Sequence, residues 1–212
     1  MNAAPAALLR AALAAEPVIA VVRAPAIPDA ADLCAALAAG GVTRVEFTFT
    51  TPGVAGHLRR AADAGHRVGV GTVLTAGQAE LAVDSGASFL VTPGARAEVA
   101  EAAARTGCPV VLGALTPTEV AHAVDLGAAA VKIFPARAFG PGYFADLRGP
   151  YPEVPLVASG GVNAGNAADY LARGALAVCA GTDVVPPAAV ARGDWADITR
   201  RAAAFTAACR AA

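Results

Sequence analysis

Lys132 is the only lysine among the 16 basic Lys and Arg residues of this chain; all the others are arginine. It interrupts a run of small and apolar residues, LGAAAVKIFPA, with Phe134 and Pro135 close behind it. Lysine is seldom buried without a partner or a task, because desolvating an ammonium is costly. The same desolvation favours the neutral amine, the form that attacks carbonyl carbons. A chain that keeps arginine for every other fixed positive side chain, and places lysine once inside a β-type run, points to Schiff-base chemistry. The alternative is a lysine that snorkels to water from a strand end.

Imine chemistry needs repeated proton transfers, so a titratable partner is expected near that amine. Glu46 is the one carboxylate embedded in a β-type apolar run, VEFTFT. It is read as a general acid/base, with a buried glutamate paired to an arginine as the structural alternative. Arg23 ends the first β-type run, where a guanidinium can hold a carboxylate bidentately, as an α-keto acid would require; a surface arginine is the other reading. Thr72 and the Thr92-Pro93-Gly94 turn close two further runs with small polar residues that suit either a pocket wall or turn chemistry. Ser159-Gly160-Gly161-Val162-Asn163 and Ala180-Gly181-Thr182-Asp183 close the last two runs. In α/β barrels the loops after strands 7 and 8 often bind phosphate, through backbone N–H groups converging at a helix N-terminus.

The elements that must position these groups are legible from periodicity. Strand-type runs lie at 17–23, 43–50, 67–73, 88–93, 109–115, 130–135, 155–161 and 176–182, and helix-type runs at 28–39, 54–64, 76–85, 96–106, 117–126, 164–173 and 194–210. The stretch FGPGYFADLRG, beginning at Phe139, reads as a loop entering a short helix. Eight strands alternating with helices, without a linker-like segment, predict a single-domain α/β protein, a (β/α)8 TIM barrel over 1–212 with added N-terminal and C-terminal helices. A doubly wound open sheet is the rival, weakened by the lack of G-x-G-x-x-G after the first strand. In the second run Val45, Phe47 and Phe49 alternate with Glu46, Thr48 and Thr50. Period two sends the first set to the helices and the second to the barrel interior. A polar inner face fits a wet active site at the C-terminal mouth.

Composition excludes several classes. The 56% hydrophobic content is inflated by alanine, aromatics are 5%, and charges or prolines interrupt every long apolar stretch, so no membrane span is expected. Net charge is −1 with no basic block, which argues against nucleic acid. The N-terminus reads as a short amphipathic helix of a cytoplasmic protein rather than a leader. Cys34, Cys108, Cys179 and Cys209 are widely spaced, as structural thiols in a reducing compartment would be. His57, His66 and His122 show no ligand spacing, so neither a metal nor a cofactor is expected.

Taken in order, G-G-V-x-x-V-E-F-T-F-T (40–50), G-x-G-T-V-L (69–74), V-T-P-G (91–94), V-K-I-F-P-A (131–136), F-G-P-G-Y (139–143) and S-G-G-V (159–162) resemble the family of 2-keto-3-deoxy-6-phosphogluconate (KDPG) and 4-hydroxy-2-oxoglutarate (KHG) aldolases. The resemblance runs from about Pro17 to Thr182. It implies a metal-free class I aldolase on a (β/α)8 barrel, usually a homotrimer, acting on a phosphorylated keto-deoxy sugar acid and yielding pyruvate. It puts Lys132 on the Schiff-base lysine and Glu46 on the acid/base. Thr72, Pro93 and Phe134 fall around the pyruvyl moiety, and Ser159, Gly160, Gly161, Gly181 and Thr182 at the phosphate end. Many members carry an arginine four residues after the glutamate, where this chain has Thr50; others pair that threonine with an arginine ending strand 1, which assigns the substrate carboxylate to Arg23. Relatives acting on the galactonate epimer tend to be apolar at the position of Ser159, so its hydroxyl leans toward the gluconate substrate, with 4-hydroxy-2-oxoglutarate as a side activity. An isomerase or epimerase barrel, and a barrel that only binds a sugar phosphate, are the rival classes.

Overall fold

The computed structural model describes residues 3–210, so the outermost residues of the expected 1–212 domain lie outside it. The strands are β1 Val18–Val22, β2 Arg44–Thr48, β3 Val68–Gly71, β4 Leu90–Val91, β5 Val110–Ala114, β6 Ala130–Ile133, β7 Leu156–Ala158 and β8 Ala175–Ala180. The helices are α1 Ala3–Ala15, α2 Ala30–Ala39, α3 Val54–Asp63, α4 Ala76–Asp84, α5 Ala97–Thr106, α6 Pro117–Asp125, α7 Gly142–Arg148, α8 Ala167–Ala172, α9 Pro187–Arg192 and α10 Trp195–Cys209, with a 3-10 turn at Ala136–Ala138. The strands pair in parallel in chain order, and β8 returns to β1 through Val18↔Val178, Ile19↔Cys179 and Ala20↔Ala180. That closure excludes the open doubly wound sheet.

Two apolar layers follow from the period of the strands. On β1, Ala20 and Val22 face the helices, whereas Ile19 points inward to join Phe89, Val91, Val111, Val157, Ala177 and Cys179 in the barrel interior. Leu9 and Leu13 of α1 belong to this interior cluster and plug the N-terminal end of the barrel. Outside, alanine dominates the buried helix faces, including Ala61, Ala79, Ala82, Ala102, Ala123, Ala167 and Ala202. Short side chains let helices ride close to the sheet at little rotamer entropy cost, which accounts for the alanine excess.

Helix starts carry chemistry of their own. Asp29, Thr75, Thr116 and Asp194 cap α2, α4, α6 and α10 with their side chains, and Thr116 and Glu119 form a reciprocal capping box. Several strands stop earlier than the apolar runs predict. The 88–93 run shrinks to Leu90–Val91, because beyond it the Thr92 hydroxyl, not a carbonyl, accepts the Gly113 N–H at 3.0 Å. The 155–161 run ends at Ala158, since Gly160 and Gly161 adopt φ of +89° and +87°. Helix α9 was not anticipated; its signals are Pro187 in the first turn and left-handed Gly193 at its end.

Glycine also sets the shape of the interior. A Cβ on Gly113 would lie 2.2 Å from the backbone carbon of Pro93. Gly113→Ala is therefore expected to destabilise the barrel by about 1–3 kcal/mol or more through overpacking against main chain, measured as a lower urea midpoint.

Candidate active site

β2 and β6 lie opposite each other in the eight-stranded ring. Side-chain layers inside such a barrel draw on alternate strands, so inward residues at one level of β2 and β6 meet across the axis. Glu46 and Lys132 do so. Lys132 Nζ lies 3.9 Å from Glu46 Oε1, with the two side chains 9% and 1% exposed. Glu46 fits because β3 offers no side chain at that point: a Cβ on Gly71 would be 1.7 Å from Glu46 Oε1. Lys132 pairs in register with Gly113 of β5, another position without a side chain.

Burial dominates the electrostatics. Desolvation pushes the Glu46 carboxyl above the usual range, opposed by the positive charges of Lys132 and Arg23. Glu46 Oε2 is buried and has no hydrogen-bond partner among the described residues. Such an unpaired acceptor costs about 1–3 kcal/mol, and at a reactive centre it is an atom free to accept a substrate proton. The Lys132 nitrogen stands 5.4 Å from the centroid of the Phe134 ring. A ring at that range stabilises a cation, whether ammonium or iminium.

These groups line a cavity of about 620 Å³ at the C-terminal mouth, together with Arg23, Thr72, Pro93, Phe134, Ser159, Gly160, Gly161, Gly181 and Thr182. Thr72 reaches it with φ of +59°, a left-handed conformation that is strained for a β-branched residue. Thr50 is not brought to the cavity. β2 ends at Thr48, and the exposed Thr50 follows it with its hydroxyl 2.8 Å from that of Thr48. The alternation expected through residue 50 stops where the strand does. Ser159 is buried, 5% exposed, and its side chain acts on the Cys179 thiol, so it belongs to the inner wall as well as to the glycine loop.

Cys179 is the cavity residue whose significance the sequence concealed. It looked like a structural thiol, yet its inward register on β8 sets it beside Lys132 and Glu46. Burial pushes this thiol up to about 11. It therefore stays protonated and does not compete with the amine for a carbonyl carbon. Arg137 and Arg201 also line the cavity and carried no motif, whereas Asn163 and Asp183 line it from the ends of the two glycine-containing stretches. All four cysteines are free, and among the described residues no group of three or more His, Cys, Asp or Glu side chains could hold a metal ion.

Comparison with known proteins agrees with this geometry. Residues 9–201 match the family described as KDPG and KHG aldolase. The chain belongs to the KDPG and KHG aldolase family. It is an aldolase, a carbon–carbon lyase. It is 38% identical over 187 residues to the 2-dehydro-3-deoxy-phosphogluconate aldolase of Pseudomonas aeruginosa, covering 87% of this chain and 84% of the relative. It is 35% identical over 187 residues to the enzyme of that name from Treponema pallidum, covering 86% and 88%. Among solved structures, KDPG aldolase from Legionella pneumophila, with pyruvate captured as a covalent carbinolamine intermediate, superposes with a TM-score of 0.86 at 31% identity over 95% of this chain and 97% of that one.

The raised Glu46 carboxyl has a consequence for stability. The folded state holds this proton more tightly than the unfolded chain, whose carboxyl titrates near 4.5. Stability is therefore lost as pH rises from about that value through the folded-state pKa. Glu46→Gln removes this slope, so its urea midpoint relative to the native chain is expected to be higher at pH 8 than at pH 4.5.

Proposed function

We propose that this protein is a class I aldolase that cleaves 2-keto-3-deoxy-6-phosphogluconate to pyruvate and glyceraldehyde 3-phosphate, with Lys132 as Schiff-base nucleophile and Glu46 as general acid/base. The observation that carries the reading is the amine 3.9 Å from a buried carboxylate, inside a cavity open at the barrel mouth. Lys132 adds to the C2 carbonyl and the carbinolamine loses water to give an iminium. Glu46 takes the proton of the C4 hydroxyl, and its unpartnered Oε2 is the atom suited to do so. As the C3–C4 bond breaks, its electron pair moves into the iminium and leaves an enamine. The aldehyde departs, C3 is reprotonated, and hydrolysis frees pyruvate and the amine. Phe134 favours the charged sink throughout.

The substrate carboxylate falls to Arg23, which lines the cavity and acts electrostatically on Glu46. Gly160 and Gly161, with their left-handed φ, turn backbone toward the phosphate end, where Gly181 and Thr182 complete the wall. The Ser159 hydroxyl favours the gluconate-derived acid over its galactonate epimer, and 4-hydroxy-2-oxoglutarate fits as a shorter second substrate. None of the described helices is long and apolar enough to cross a membrane. Family resemblance supports a cytoplasmic homotrimer.

Pyruvate with borohydride tests the assignment. The expected result is a gain of one reduced pyruvyl group, mapped to Lys132 by peptide mass spectrometry and lost in Lys132→Ala; an unmodified native chain would overturn the aldolase reading. Arg23→Ala is expected to raise KM for the keto acid by about tenfold or more, the worth of a charge-assisted bidentate contact. An unchanged KM would return the carboxylate to another group.

A further inference from the structure

One cation at the phosphate end is unclaimed by the motifs and by the reaction steps above. Arg137 sits in the 3-10 turn that follows the Lys132 strand, and its backbone N–H donates to the Gly160 carbonyl at 3.0 Å. Its stem lies across Gly161: a Cβ added there would come within 2.6 Å of Arg137 Cβ and 3.0 Å of its Cδ. The exposed side chain is thus held against the glycine loop while it lines the cavity. Among the described residues its guanidinium has no salt bridge or side-chain hydrogen bond within the protein.

Arg201 of α10, the other cation of this end, is already engaged. Its Nε donates to Asp197 Oδ2 at 2.8 Å and its Nη1 to the Asp183 carbonyl at 3.3 Å. The Asp183 carboxylate lines the same end and accepts the Ala164 N–H at 2.9 Å. An incoming dianion therefore meets one fixed negative charge and one arginine with its charge already paired. Compensation requires a second, uncommitted guanidinium, and a planar donor fork suits phosphate oxygens.

We propose that Arg137 binds the distal phosphate of the substrate and sets the preference for phosphorylated keto-deoxy acids over short dicarboxylates such as 4-hydroxy-2-oxoglutarate. This inference rests on the aldolase reading. The short substrate carries no phosphate for Arg137 to bind, so the two substrates respond differently to its loss. A phosphate contact made equally in the ground and transition states is uniform binding, read in KM rather than kcat.

The test compares the native chain, Arg137→Ala and Arg137→Lys on both substrates, with inhibition by inorganic phosphate as a second measurement. Arg137→Ala is expected to raise KM for the phosphorylated acid by about tenfold. Its kcat, and kcat/KM for 4-hydroxy-2-oxoglutarate, stay at the native values. Inhibition by phosphate weakens in parallel, and Arg137→Lys recovers part of each loss. Equal losses on both substrates, or no change on either, overturn the role of Arg137 and leave the aldolase assignment standing. A native chain that turns over neither substrate and forms no reducible pyruvate adduct overturns both.

Discussion

A carboxylate and an amine held together out of water are the constraint around which this barrel is built. Removing such groups from solvent costs several kcal/mol per ion, which mutual attraction offsets only with good geometry and enough hydrogen bonds. Here the separation is 3.9 Å and one carboxylate oxygen is left without a partner. The arrangement is therefore poor as a stabilising ion pair and well suited to moving protons. Its surroundings supply room: glycine occupies the neighbouring strand positions 71 and 113, where a methyl group would strike Glu46 or the Pro93 backbone.

The rest of the molecule compensates for what the centre gives up. Apolar residues fill the interior below the site, Leu9 and Leu13 close its base, and alanine-faced helices pack against the outside of the sheet. Backbone strain falls at the mouth, where Thr72 takes a left-handed conformation that glycine alone adopts freely. Strain at Thr72 and the unpartnered Glu46 oxygen sit together at one end of a rigid scaffold, which is how a barrel combines stability with a reactive site.

The cavity has two electrostatic zones. Arg23, Lys132 and Glu46 form one, and Arg137, Arg201 and Asp183 the other. In the first zone cations outnumber the carboxylate, and in the second Arg201 is paired with Asp197 while Arg137 is left uncommitted. The neutral thiol of Cys179 adds polarisability beside the amine without adding charge.

Sequence alone determined the class of fold and the chemistry. Local chain physics sets strand period, glycine and proline punctuation and caps, and a lone lysine or glutamate inside an apolar run stands out before any contact is known. Tertiary structure decided the rest. Whether Thr50 reaches the cavity depended on where β2 leaves the ladder; it leaves after Thr48. The places of Cys179, Asp183 and Arg201 depended on closure of β8 onto β1 and on the return of α10, so residues distant in the chain meet only once the barrel exists. Arg137 was invisible for the same reason. An exposed arginine in a short turn has no periodicity to mark it, and its position over Gly161 comes from packing between the β6 and β7 loops. Periodicity is a property of neighbours along the chain, whereas a binding site is a property of neighbours in space.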